Sequence, residues 1–287
     1  MRHATWIALE ASPVWRKMYG AYRKLPAAAR SPIRWVTMPR WHAATTLIQV
    51  ASGKKVVAGP FRGMRLELSP VSRRLLVSYI LGSTELELRE VIERILQKKY
   101  ATILNVGAAD GYYAIGMAYR SPRSRVVAFE ALAALHRVIE RAALLNGVAD
   151  RIRISGRCDL SDLRRELQTA HQPTLVLMDI EGGESQLLDP SRCPELGNAD
   201  ILVETHDSFV PGCTDRLISR FGPTHQIERF VARQRVVSDY PRSFMGFLPR
   251  FFPRMTVDLM DERRAGVQQW LYLTPKPNVG KPQEKMR

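Results

Sequence analysis

Cysteine is scarce and odd in number: Cys158, Cys193 and Cys213 are the full complement of a 287-residue chain, and no two form a C-x-x-C pair. That argues against both a disulfide framework and a zinc site, and it fits a reducing cytoplasm. Long apolar runs are missing too. The longest stretch without Asp, Glu, Lys or Arg is residues 41–53, far short of the roughly 20 apolar residues of a spanning helix. Residues 1–10 show no apolar h-region and no cleavage site, so no secretory signal is expected. Acidic residues are nearly absent from the first 55 positions. Glu10 stands there against ten Lys and Arg, so this arm carries nine of the net +15 charges.

The same arm holds Trp6, Trp15, Trp35 and Trp41. Cations interleaved with Trp suit an anionic membrane surface or a phosphate-rich polymer, at about 1 kcal/mol per cation beside an acidic leaflet. The alternative is an arm whose Trp residues pack on the domain or on a second subunit, giving a homodimer. Pro13, Pro26, Pro32 and Pro39 cut it into short pieces, which disfavours one long amphipathic helix. Hydrophobic residues make up 45% of the chain and support a packed core. The expected organisation is a basic extension over 1–55 and one α/β domain over 56–287.

That domain is organised around TILNVGAADGYYAIGMA, residues 102–118, which reads as strand, tight turn and helix. Gly107, Ala108, Ala109 and Gly111 leave little bulk in the turn, so a nucleotide-like ligand can approach the backbone and the free N–H groups of the helix start. The spacing is Gly107-x-x-x-Gly111, not the G-x-G-x-x-G that seats a pyrophosphate. Residues 125–130 form a second buried strand ending in Glu130, 23 positions after Gly107. A carboxylate there offers two acceptors to the hydroxyls of a ribose.

Five further strands and their helices follow in order. Residues 132–145 have helical apolar spacing up to Asn146-Gly147, residues 151–155 form the third strand, and a helix runs over 161–170. The wholly apolar 174–178 delivers Asp179 and Glu181 to its C-terminal edge, and 201–203 delivers Glu204, His206 and Asp207 to the same edge. Residues 224–231 and 267–273 read as a closing antiparallel pair. Between them lies an insertion, 232–266, rich in Phe, Arg and Pro, of a length expected of a lid or binding loop, or of an arm packed on a neighbouring subunit. Ahead of the sheet, 56–69 reads as a hairpin around Gly59-Pro60 and Gly63, and Thr84-x-x-Glu87 reads as a capping box opening a helix to about Lys98.

The runs NVGAADGYY, VVAFEA and LLNGVADRIRI resemble class I S-adenosylmethionine-dependent methyltransferases. LMDIEGGESQLL and ILVETHD resemble, more narrowly, the FkbM-type methyltransferases, over about residues 78–274. The resemblance implies a Rossmann-like α/β fold with a seven-stranded, mostly parallel sheet whose last strand is antiparallel. It also implies S-adenosylmethionine held by Asn105, Gly107, Ala109, Asp110, Gly111, Glu130, Cys158, Asp159 and Asp179. Asp159 matches the acid that accepts from the adenine amino group, or else caps the next helix. Asn105 stands where the family usually carries an acid. Tyr79 or Glu85 faces the methionine end, or Glu85 serves as a plain cap.

Methyl transfer to a hydroxyl of a sugar, lipid or small natural product requires a proton acceptor, and His206 is the candidate, with Asp179 and Glu181 positioning the sulfonium end and the acceptor. The competing reading of His206 is a neutral core histidine satisfied by Glu204. Alternatively Asp179, Glu204 and His206 hold Mg²⁺. Methylation of a nucleic-acid base is disfavoured, because the turn reads Asp179-Ile180-Glu181-Gly182 and not Asn- or Asp-Pro-Pro-aromatic. The remaining rival is a cofactor-binding or membrane-associated protein of this fold without chemistry.

Overall fold

The computed structural model describes residues 39–69, 75–262 and 268–277. The chain divides into two units, 1–51 and 52–287. Trp6, Trp15 and Trp35 of the basic arm lie outside the described residues. What is described of the first unit is most of helix α1, Pro39–Ser52, which starts on a proline whose missing N–H is not needed at the first helical position.

The second unit opens with a hairpin-like turn. Val56 N donates to Met64 O (2.9 Å), Gly63 N donates to Val56 O (2.8 Å), and Lys55 bridges Arg65. Its Phe61 ring lies on the helix that follows the first strand. Helix α2, Leu76–Leu81, comes next. The expected capping box does not form. Thr84 Oγ1 bonds the Ser78 hydroxyl (3.1 Å) and Glu87 takes an ion pair from Arg235, so a 3₁₀ turn, Leu86–Leu88, intervenes and helix α3 starts only at Arg89, running Arg89–Gln97. A bond to the preceding helix and a long-range ion pair outcompete the local cap here.

The sheet comprises β1 Thr102–Val106, β2 Arg125–Phe129, β3 Ile152–Ser155, β4 Thr174–Met178, β5 Ala199–Thr205, β6 His225–Val231 and β7 Gln269–Pro275. Helices α4 Tyr112–Arg120, α5 Ala133–Leu145, α6 Leu160–Thr169, α7 Glu184–Leu187 and α8 Cys213–Phe221 connect the first six. The strand order is β3-β2-β1-β4-β5-β7-β6, parallel through β5, with β7 antiparallel to both neighbours. This is the Rossmann-like topology of class I methyltransferases.

Strands β1 and β4 are buried along their whole length, as apolar strands covered on both faces must be. Alternate residues serve opposite faces. Val106, Met178, Val203 and Leu271 join a core with Leu163 of α6 and Phe221 of α8, so Asn105, Glu204 and Trp270 point to the other face. On α4, Gly116 leaves room for the Phe61 ring, which a Cβ would meet at 2.6 Å.

At the N-terminal edge Asp200 accepts from Lys98 Nζ (2.6 Å), from the Tyr272 hydroxyl (2.9 Å) and from Tyr100. The opposite edge carries the candidate site. Thr205 and Val231 both pair with Gln269, so the insertion leaves and rejoins the sheet at that same edge. It is not a bare loop: a 3₁₀ turn Val237–Asp239, helix α9 Phe247–Phe251 and helix α10 Pro253–Met260 occupy it. Buried Tyr240, Leu248, Leu259 and Met260 anchor it.

Candidate functional site

The strand order reverses between β1 and β4, and the C-terminal ends of parallel strands at such a point form the crevice where open α/β sheets bind ligands. Gly107 sits there at φ +84°. A Cβ on it would lie 1.8 Å from Asp179 O, so glycine is required for the β1 and β4 ends to approach. Gly107 N and Ala108 N both donate to Phe129 O (3.0 and 2.9 Å), folding the turn over β2. Ala109 and Gly111 are also left-handed.

Glu130, at the end of β2, accepts from Ala109 N (2.8 Å) through one oxygen and from Leu132 N (2.7 Å) through the other. Its carboxylate is thus aimed by backbone on two sides. Each oxygen keeps a second lone pair, which a vicinal diol can engage. Two acceptors at the turn lack a partner: Asn105 Oδ1 and Asp110 Oδ1 are buried without a hydrogen bond, while the other Asp110 oxygen accepts from Ser69 N (3.2 Å). Buried acceptors left unsatisfied are costly. A guest bearing an ammonium and hydroxyls fits this donor-poor wall.

After β3, Asp159 takes the helix-cap role. Its Oδ1 accepts from Ser161 Oγ (2.7 Å) and Asp162 N (2.8 Å), and Asp162 returns a bond to the Asp159 N–H, completing a capping box. The Ser161 hydroxyl and the Asp162 N–H hold its carboxyl below the usual range. Only Oδ2 is left for an adenine amino group. Cys158 belongs to the core cluster, and burial pushes its thiol up to about 12, so it is a packing residue that stays protonated.

The second half of the site comes from β4 and β5. Asp179 follows β4, and Glu204 and His206 sit at the end of β5. His206 Nδ1 lies 2.7 Å from Oε1 of Glu184, a fully buried carboxylate at the start of α7 whose two oxygens also accept from Gly182 N (3.1 Å each). Glu184, not Glu204, is therefore the partner of His206, and the α7 turn places it. The sequence signal was available in the MDIEGGE run, but no rule of spacing joins positions 184 and 206.

With Nδ1 committed to Glu184, Nε2 faces Asp179 Oδ1 (3.6 Å) and Glu204 Oε1 (3.9 Å). Burial opposes the imidazolium, yet the Glu184 hydrogen bond and the surrounding carboxylates outweigh it and raise the His206 pKa. Glu184 shows the reverse balance: burial works against its charge, and the bonds from His206 and Gly182 hold it below the usual carboxylate range. Asp179, Glu204 and His206 offer ligand atoms within 4.8 Å of one another. Two carboxylates and an imidazole suit a divalent cation, and a buried carboxylate behind the other ring nitrogen is the usual orienting device for a ligating histidine.

Other expected residues lie differently. Glu181 is exposed at φ +52°, and among the described residues no hydrogen bond or ion pair joins it to the cluster. Asp207 turns away to accept from Thr214 N (3.2 Å), Gln269 Nε2 (2.7 Å) and the Thr214 hydroxyl, tying α8 to β7. Glu85 is no plain cap: its buried carboxylate accepts from the Tyr113 hydroxyl, and its own N–H donates to Glu262 (2.8 Å). Tyr79 stacks on Tyr112, with ring centroids 4.2 Å apart.

No protein-family model matches the chain, and a search of curated proteins finds no match. Among solved structures, an O-methyltransferase from Bacillus cereus in complex with SAH is similar at 13% identity and a TM-score of 0.42, covering 86% of this chain and 97% of its own. An O-methyltransferase from Streptomyces achromogenes, involved in tomaymycin synthesis and bound to SAM, is similar at 12% identity and 0.41, covering 83% and 99%. A SAM-dependent O-methyltransferase from Thermotoga maritima is similar at 12% and 0.39, covering 70% and 68%. At these values the fold rests on the strand order and not on the likenesses.

Proposed function

We propose that this protein is an S-adenosylmethionine-dependent methyltransferase acting on a hydroxyl of a sugar, a lipid-linked glycan or a small natural product. One observation carries the reading. A backbone-aimed carboxylate and two unsatisfied buried acceptors at the C-terminal ends of β1 and β2 lie on one side of the Gly107–Asp179 contact, and the Glu184–His206 pair belongs to the β4 and β5 side. Glu130 would take the ribose hydroxyls, Asn105 and Asp110 the amino-acid end, and Asp159 Oδ2 the adenine. When bound, S-adenosylmethionine supplies a methyl group activated by its sulfonium.

Glu184 holds the His206 ring in the tautomer that carries its proton on Nδ1 and leaves the Nε2 lone pair on the ligand side. Nε2 is then the atom that receives the acceptor's hydroxyl proton, while Asp179 and Glu204 stabilise the imidazolium that results. Calorimetry with S-adenosylmethionine tests the cofactor. Glu130→Ala should weaken binding by about 1.5–3 kcal/mol, the worth of hydrogen bonds to a charged group, or roughly ten- to a hundredfold. Wild-type protein that takes up no heat of binding, or an unaffected Glu130→Ala, would sink the reading.

A second reading is favoured by the 4.8 Å cluster: a divalent cation held by Asp179, Glu204 and His206 lowers the pKa of the acceptor hydroxyl. Chelator separates the two. With His206 as base, His206→Ala lowers turnover by about 10²–10⁴-fold, leaves cofactor affinity near wild type, and chelator has no effect. With a cation, chelator abolishes activity, added metal restores it, and Asp179→Ala and Glu204→Ala are as damaging as His206→Ala. Near-wild-type turnover by His206→Ala together with indifference to chelator refutes both.

A further inference from the structure

We infer that the ridge formed by residues 247–254 docks on the surface of an anionic lipid bilayer. Helix α9 buries Leu248 and helix α10 buries Thr256, Leu259 and Met260, and these hold the insertion in the domain. Between the two anchors, Arg250-Phe251-Phe252-Pro253-Arg254 is exposed without interruption. Phe251 is 67% exposed, Phe252 48% and Phe247 44%. A single exposed apolar side chain is ordinary, but three large rings within six positions form a patch that a protein kept wholly in water would bury. Phe247 and Phe251 are four apart on α9 and so share a face.

The charge around the rings is of one sign. No acidic residue occurs from Tyr240 to Val257, whereas Arg242, Arg250 and Arg254 do, and among the described residues none of the three makes an ion pair. The Arg250 guanidinium lies 5.7 Å from the Phe251 ring centroid, so cation and ring present together. Rings that enter the headgroup–acyl boundary, flanked by guanidiniums that stay with lipid phosphates, match this pattern. A single-stranded nucleic acid would instead use rings spread along a basic groove, one per base. The ridge belongs to the segment that leaves and rejoins the sheet at the edge bearing His206. Lipid docking does not depend on the transfer chemistry proposed above.

Cosedimentation of the full chain with phosphatidylcholine vesicles, with and without phosphatidylserine, tests this at about 0.1 M and 0.5 M salt, ionic strengths at which screening lengths differ about twofold. Wild type should prefer the phosphatidylserine vesicles and lose affinity at the higher salt. The double variant Phe251→Ser, Phe252→Ser should bind at least tenfold more weakly with an unchanged melting temperature, and Arg250→Glu with Arg254→Glu should remove the preference for phosphatidylserine. Three results would overturn the inference. One is wild-type affinity in the double serine variant, which would assign lipid binding to the basic arm. Another is loss of affinity for a single-stranded oligonucleotide with vesicle binding untouched. The third is a dimer that these substitutions dissociate in analytical ultracentrifugation.

Discussion

His206 and Glu184 form a pair whose shifts run in opposite directions, and each shift fixes a sign for stability. Glu184 lies below its ordinary value, so its contribution is present above about pH 4.3 and is lost as pH falls through the folded pKa. His206 lies above its ordinary value, so its contribution is complete below about pH 6.5 and fades as pH rises through the folded pKa. The pair therefore stabilises most between those two values. Glu184→Gln should cost about 1.5–3 kcal/mol near pH 5.5, the range for a hydrogen bond to a charged group, and less near pH 9. Urea melts of both proteins across pH, with chelator present, measure the difference. A constant difference from pH 5 to 9 would mean that the two side chains do not titrate as a pair.

Among the elements, the insertion between β6 and β7 is tied to the segment before α3 through one side chain. The Arg235 side chain is 7% exposed and donates to Glu87 (2.9 Å), Glu262 (2.7 Å) and Ser83 O (3.1 Å), so a single guanidinium ties the segment after β6 to the segment before α3. Glu262 also takes the Glu85 N–H, and Glu85 takes the Tyr113 hydroxyl, so the same network reaches α4 beside the Gly107–Gly111 turn. Removing one member of a buried charged cluster leaves the rest uncompensated, at about 3–5 kcal/mol. Arg235→Ala should lower the urea midpoint accordingly, and hydrogen exchange should show faster opening in both 83–88 and 256–262. If only the insertion loosens, the two segments are not coupled through Arg235. This network also explains why the capping box at Thr84 fails: Glu87 is worth more to Arg235 in the interior than to its own backbone at a helix start.

At the scale of the whole molecule, the sheet and both its helical layers lie in residues 52–287, and the basic arm belongs to a separate unit. Deleting residues 1–51 should leave a folded protein with native near-ultraviolet circular dichroism and undiminished affinity for S-adenosylmethionine. An insoluble or molten product would place the arm's Trp residues in the core. The sequence by itself determined the seven strands, their order along the chain and the edge to which Glu130, Asp179, Glu204 and His206 are delivered, because period-2 and unbroken apolar runs and small-residue turns are local signals. Residues 174–178 were legible to the residue, since an apolar run bounded by Pro173 and Asp179 admits one reading. Only the tertiary structure decided that β7 lies between β5 and β6, that Glu184 and not Glu204 partners His206, that Asp207 turns back to α8, and that Arg235 closes the insertion onto Glu87. Each of those joins positions between 7 and 148 apart. Such choices come from competition among strand edges and polar groups for partners in the interior, which the spacing of neighbouring residues does not record.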